Sequence, residues 1–287
     1  MVRDVTHPGQ LGVSASKLAG AAAMLDRWVE AGITPGVAAI VTRRGQTVLE
    51  HYAGVTLAAG AGASEFVSRD TVFFVSSIAK TIVAMMVMSL VESGLVLLDD
   101  RVAELIPEFG RLGKERVSVY HLLVHTSGLP DQLPNNEALR KAHSPLASFV
   151  RSACRCELDF TPGTRLQYSN VGYLMLGEVC QRITGQPIDE SARQAVLRPL
   201  GMSSSSFRPE PESYHRIAQV RLPGNRRPTT WDVNSAYWRQ LAAPWAGLYS
   251  TANDLAALGR FSLDACVPNA TAWAAEPGTV LSPTTLR

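Results

Sequence analysis

Apolar and polar positions along the chain fall into a readable run of elements. Leu18, Ala21, Ala22, Leu25 and Trp28 recur at helical spacing, and Gly32 supplies a helix stop. Val37–Thr42 and Gln46–Tyr52 read as two strands around the turn Arg44-Gly45, which predicts a hairpin. Residues 54–68, rich in Gly and Ala, read as a loop. The run Ile82–Val91 carries no charge. A helix from Ser77 to Glu92 would therefore be apolar on every side and buried, with Gly94 as its stop.

Further helices are predicted over 101–105, ended by Pro107, and from a Ser118 cap through His125. Others follow over 146–153, 170–183 with Gly185 as stop, 188–197, and 254–261 behind a Thr251 or Asn253 cap. Residues 203–230 form a long polar loop with several prolines. Loops of that length inside a compact domain are usually functional or mobile. Helices thus outnumber strands, of which only two are clear.

Composition narrows the classes. An apolar content of 46% over 287 residues supports a sizeable core, and a net charge of +2 gives no electrostatic case for nucleic acid or a membrane surface. Arg226-Arg227, near Arg221, reads as part of a solvated loop. The first eight residues lack an apolar leader, and Ile82–Val91 is too short to cross a bilayer, so the expected location is cytoplasmic. Cys154, Cys156, Cys180 and Cys266 lack metal-site spacing and read as reduced thiols.

Candidate chemistry begins at Ser77. Lys80 lies three residues on, about one helical turn away on the same face. A serine hydroxyl is a weak nucleophile until a base takes its proton, and a buried lysine with a lowered pKa can be that base. The spacing alone is unspecific. Ser14-Ala15-Ser16-Lys17 matches it too, and there a helix cap with a solvated lysine explains the pattern. A second signal is Tyr168-Ser169-Asn170 at the mouth of the 170–183 helix. Tyr168 offers a general acid or base, and Asn170 a donor and an acceptor. Taken alone, the tripeptide reads sooner as an ordinary partly buried aromatic, Tyr168, and a helix cap, Asn170.

Five blocks in order decide between these readings: Asp70–Thr81, Leu97–Val102, His121–Pro130, Phe160–Asn170 and Ala246–Thr251. Together they resemble the serine β-lactamase and penicillin-binding-protein-related family, in its class C-like branch with esterases and D-aminopeptidases. The resemblance implies an α+β, β-lactamase/transpeptidase-like fold: an antiparallel sheet flanked by helices, plus a mostly helical part. It implies one domain over 1–287, with helix and hairpin in 1–70, the motifs in 71–265 and a tail in 266–287. Ser77 would be the acylated nucleophile, Lys80 its base, Tyr168 a proton shuttle, and Asn170 a holder of Lys80 or substrate. The Ser77 N–H would face the developing oxyanion. Substrates would be small esters, amides or β-lactams, with no metal and no cofactor. His121 and His125, four apart as zinc ligands can be, would be structural.

The chain departs from the family in one region. No Lys-Thr-Gly or His-x-Gly follows Tyr168, and the later His215 precedes Arg216-Ile217. Ser282-Pro283 reads as a helix start close to the last residue. These features predict a C-terminally incomplete homologue with an incomplete sheet, an unpaired strand edge and a cleft open on one side. The alternative to an enzyme is then an inactive homologue that acts as a binding module. Specificity would lie in loops 129–145 and 203–244. Trp231, Trp238 and Trp245 there would serve either an apolar acyl group or the core.

Overall fold

Ser14 accepts a hydrogen bond from the Lys17 amide and opens helix α1, Ala15–Glu30. The computed structural model describes residues 7–57, 64–222, 224, 228–266 and 281. Helix α1 lies along the predicted hairpin, strands β1 (Gly36–Arg43) and β2 (Gln46–Gly54). Their register runs from Gly36 opposite Gly54 to Arg43 opposite Gln46, with one bulge between Val41 and Thr42. Arg44 and Gly45 both take positive φ, 50° and 74°, as a two-residue turn that follows strand twist requires.

A second antiparallel pair joins β3 (Phe73–Ser76) to β4 (Leu248–Ser250). The sequence reading lacks it, because three or four residues are too few to show alternation. Among the described residues the two pairs are separate two-stranded sheets. Isolated bridges extend them, Val55 to Phe66, Val72 to Ile217 and Ser206 to Tyr249.

The uncharged run forms α2, Ala79–Glu92, whose buried residues include Ile82, Val83, Met86 and Val87. It starts two residues later than predicted, because Ser77 still belongs to the turn that leaves β3. Helices α3 (Val102–Leu105) and α4 (Val119–Leu123) follow. Ser118 caps α4 reciprocally with His121. The helix stops short of His125, which sits at φ 60°, outside helical space.

Helix α5 (Asn136–Lys141) lies inside the stretch read as loop, and α6 spans Leu146–Arg155. Helix α7, Asn170–Thr184, starts on the Ser169 cap and ends at Gly185. Helix α8, Ile188–Ala192, runs on into a π turn over Arg193–Leu197. Part of the long polar loop is structured. It holds a 3-10 turn over Pro211–Arg216, a bridge from Val72 to Ile217, and Val220 bonded in both directions to the Asn234 amide. Helix α9 (Ala236–Leu241) precedes β4. Helix α10 (Ala252–Cys266) begins where Thr251 Oγ1 accepts from the Asp254 amide, and it packs on β1.

The core sits around α2 and α7. Phe109, Leu122, Phe149, Phe207 and Tyr249 are buried within it. Trp238 and Trp245 belong to this core, edge to face at 6.3 Å, so packing accounts for two of the three tryptophans. Trp231 lies 5.2 Å from the Arg140 guanidinium. Cys154, Cys156 and Cys180 are buried free thiols. Arg226-Arg227, the Ser282-Pro283 helix start and the Cys266 side chain lie outside the described residues. Among the described residues no helix is long and apolar enough to cross a membrane.

Candidate active site

Strand β3 ends in a bulge between Phe74 and Ser76, and Ser76 takes φ 48°. A non-glycine residue in that region costs about 1–2 kcal/mol, and bulges re-aim the chain that follows them. Here the kink turns strand into helix and leaves Ser77 exposed at the junction. The Lys80 amide donates to the Ser77 carbonyl at 3.1 Å, closing one turn ahead of α2. Ser77 and Lys80 therefore keep their one-turn separation although Ser77 precedes the helix. Lys80 Nζ lies 3.4 Å from Ser77 Oγ.

Tyr168 and Asn170 arrive from a loop that is tied rung by rung to residues 125–131. The amides of Asp159, Gly163 and Gln167 donate to the carbonyls of Gly128, Thr126 and His125, at 2.7, 2.8 and 2.9 Å. Gly128 has φ 81°, and a side chain there would run into the Phe160 carbonyl. Ser169 Oγ donates to the Pro130 carbonyl at 2.8 Å and caps α7 through the Gly172 amide at 2.9 Å. Thus anchored, Tyr168 donates its hydroxyl to Ser77 Oγ at 2.8 Å.

Lys80 is buried at 6% exposure. Its Nζ donates to Asn170 Oδ1 and to the Trp245 carbonyl, both at 2.7 Å. It stands 4.6 Å from the Tyr168 ring centroid and 5.6 Å from that of Tyr173. Burial pulls its pKa below the ordinary lysine range, against the opposing pull of Tyr168 and Asp131. An ammonium has three N–H groups. Two meet the carbonyls and the third direction faces Ser77 Oγ. With one proton gone, the two remaining N–H groups still match the two carbonyls, and the lone pair faces the serine.

His121 and His125 both serve the backbone. His121 Nδ1 accepts from the Ser118 amide at 3.2 Å, and His125 Nδ1 from the Ser169 amide at 3.1 Å. The His125 ring also lies 4.7 Å from the Tyr168 ring, and burial with the nearby Lys80 charge pushes its pKa down. Among the described residues no three His, Cys, Asp or Glu side chains gather as a metal-binding group. Ser14 and Lys17 are both exposed on α1, so the second Ser-x-x-Lys is a cap.

Two partners were outside the reach of sequence reasoning. Asp131 Oδ1 accepts from Asn170 Nδ2 at 2.7 Å. Asp131 lies one residue beyond the matched block His121–Pro130, in a loop where no periodicity marks it. The Trp245 carbonyl has no signal either, since any residue carries such a group. Behind Asn170 a narrow cleft is lined by Leu133, Phe149, Leu174 and Trp245. A larger cavity of about 490 Å³, between the hairpin and α10, includes none of the four candidate residues.

A family model described as Beta-lactamase matches residues 25–287. The chain belongs to the Beta-lactamase family. Penicillin-binding protein 4 of Amycolatopsis lactamdurans is 31% identical to this Beta-lactamase-family chain over 237 residues, which cover 80% of it and 60% of the relative. Esterase EstB of Burkholderia gladioli is 31% identical over 252 residues, 77% of this chain and 63% of the esterase. The chain thus spans about 60% of the length of these curated relatives. Solved structures agree on the β-lactamase and penicillin-binding-protein fold. EstCE1, a hydrolase with promiscuous acyltransferase activity, superposes with a TM-score of 0.74 at 20% identity, over 94% of this chain and 76% of its own. The octameric penicillin-binding protein homologue from Pyrococcus abyssi gives 0.73 at 23%, over 96% and 59%.

Proposed function

We propose that this Beta-lactamase-family chain is a serine hydrolase or acyltransferase that attacks an ester, amide or β-lactam carbonyl through Ser77. The observation that carries the reading is the convergence on one oxygen: Lys80 Nζ at 3.4 Å and Tyr168 Oη at 2.8 Å from Ser77 Oγ. Lys80 in its neutral form takes the Ser77 proton, and Oγ bonds to the carbonyl carbon. The carbonyl oxygen gains the negative charge, towards which the Ser77 N–H donates. Collapse of the adduct expels the leaving group, and Tyr168 hands it the proton, replenished from the Lys80 ammonium. What remains is an ester of Ser77. Water or another hydroxyl, deprotonated by the same pair, then takes the acyl group and restores the serine. Asn170 holds the lysine throughout. An ester is the first substrate class to try, given the esterase among the relatives.

The test is covalent labelling. Incubation with a fluorophosphonate is expected to add one adduct to the intact mass, located at Ser77 and absent from Ser77→Ala. Folded protein that takes no adduct would instead favour a non-catalytic binding module.

A further inference from the structure

We propose that Asp131 is a positioning residue for this site: its carboxylate sets which end of the Asn170 amide meets Lys80. The proposal rests on the reading of Ser77 and Lys80 given above. An asparagine amide can turn either its oxygen or its NH2 group towards a neighbour, and the two ends have opposite hydrogen-bonding character. With the NH2 end towards Lys80, donors would face donors, and the lysine would keep the Trp245 carbonyl as its one short acceptor, with Ser77 Oγ farther off at 3.4 Å.

Asp131 selects the other arrangement. Its Oδ1 accepts from Asn170 Nδ2 at 2.7 Å, and its main-chain carbonyl accepts from the Asn170 amide at 3.2 Å. An ionised carboxylate only accepts, so it can hold the NH2 end and not the oxygen end. Asn170 Oδ1 is thereby left 2.7 Å from Lys80 Nζ. Asp131 is exposed, yet the rungs between 125–131 and 159–170 fix its place on the rim. Its part is to hold the amide, not to move a proton.

The same carboxylate contributes charge. The titratable groups around the Lys80 amine are Tyr168, Tyr173, His125 and Asp131, and of these Asp131 is the carboxylate. Removing its charge makes the ammonium less favourable, so the neutral, basic form of Lys80 would persist to lower pH.

Two measurements test this: the rate of fluorophosphonate addition at Ser77 against pH, and the side-chain amide NMR signals of Asn170. Asp131→Asn keeps an oxygen that accepts from Asn170 but removes the charge. Its plateau rate is expected within about threefold of wild type, with the acid limb displaced to lower pH. Asp131→Ala frees the amide, and its plateau rate is expected to fall at least about tenfold. In the wild type the Asn170 NH2 protons should lie downfield, as a short bond to a carboxylate requires, and that displacement should vanish in Asp131→Ala. An unmoved acid limb in Asp131→Asn, an Asp131→Ala plateau equal to wild type, or Asn170 signals indifferent to both substitutions would each overturn the proposal. Should Asp131→Ala fail to fold, Asp131→Leu, of similar shape and without an acceptor, takes its place in both measurements. Should wild type take no adduct at Ser77, the serine reading fails, while the amide signals still decide whether Asp131 orients Asn170.

Discussion

At the scale of single residues, the lysine is the group whose environment matters most. Burial lowers the Lys80 pKa, which means the neutral amine appears at lower pH than for a solvated lysine. The rate of Ser77 acylation should therefore climb with pH and level off below the usual lysine range. Lys80→Met should remove that limb together with the reaction, and Tyr168→Phe should slow it by about 10²–10⁴. Stopped-flow labelling across pH would read both. Ser76 offers a test of stability instead. Its φ of 48° is tolerable for a small residue and poor for a β-branched one, so Ser76→Val should lower unfolding free energy by about 1–2 kcal/mol in urea titrations. Much of this constellation is legible in the chain itself, since Ser77, Lys80, Tyr168 and Asn170 all lie in matched blocks and the fold brings them within hydrogen-bond reach. Asp131 is not, because a carboxylate in a loop has no periodicity to mark it.

At the scale of elements, legibility follows length and pattern. Helices α1, α2 and α7 and the hairpin are read correctly to within a few residues, because each has a sustained apolar face and a recognisable stop. Strands β3 and β4 are missed because they are short, and α5 and α9 because six residues show too little periodicity. The packing of α7 is equally invisible in one dimension. Gly177 sits mid-helix, where Ala would ordinarily stabilise by about 1 kcal/mol. A Cβ at this position would come within 2.7 Å of Pro244 Cβ. Overpacking costs about 1–3 kcal/mol, so the collision should win. Gly177→Ala is expected to destabilise the protein, against its helix propensity, and to slow Ser77 labelling by shifting the neighbouring Trp245 carbonyl. A stability gain in thermal unfolding would refute that account.

At the scale of the whole molecule, burial is uneven. Helices α2 and α7 carry many buried side chains, whereas α1 and β1 carry none and β2 only Val48. Local opening free energy follows buried apolar contact. Hydrogen exchange should therefore show the amides of residues 36–54 exchanging faster than those of 79–92 and 170–184, by about a hundredfold or more. Equal protection in both regions would mean that the molecule opens only as a unit. The sequence reading anticipates an incomplete sheet, and among the described residues each sheet has two strands. The hairpin is held by its sequence neighbour α1 on β2 and by α10 on β1, and the second contact joins segments more than 200 residues apart, which no local pattern encodes.

The Trp245 carbonyl has a consequence for how such a protein is dissected in the laboratory. Substituting position 245 replaces the indole and leaves the chain with a main-chain carbonyl there, so a mutational scan scores the side chain and never removes the atom. One of the two acceptors that aim the lysine is thus recorded only in the path the backbone takes between Ala243 and Gly247. It would be reached by exchanging the amide linkage itself, for instance an ester bond introduced between residues 245 and 246 by chemical ligation, which weakens the carbonyl as an acceptor.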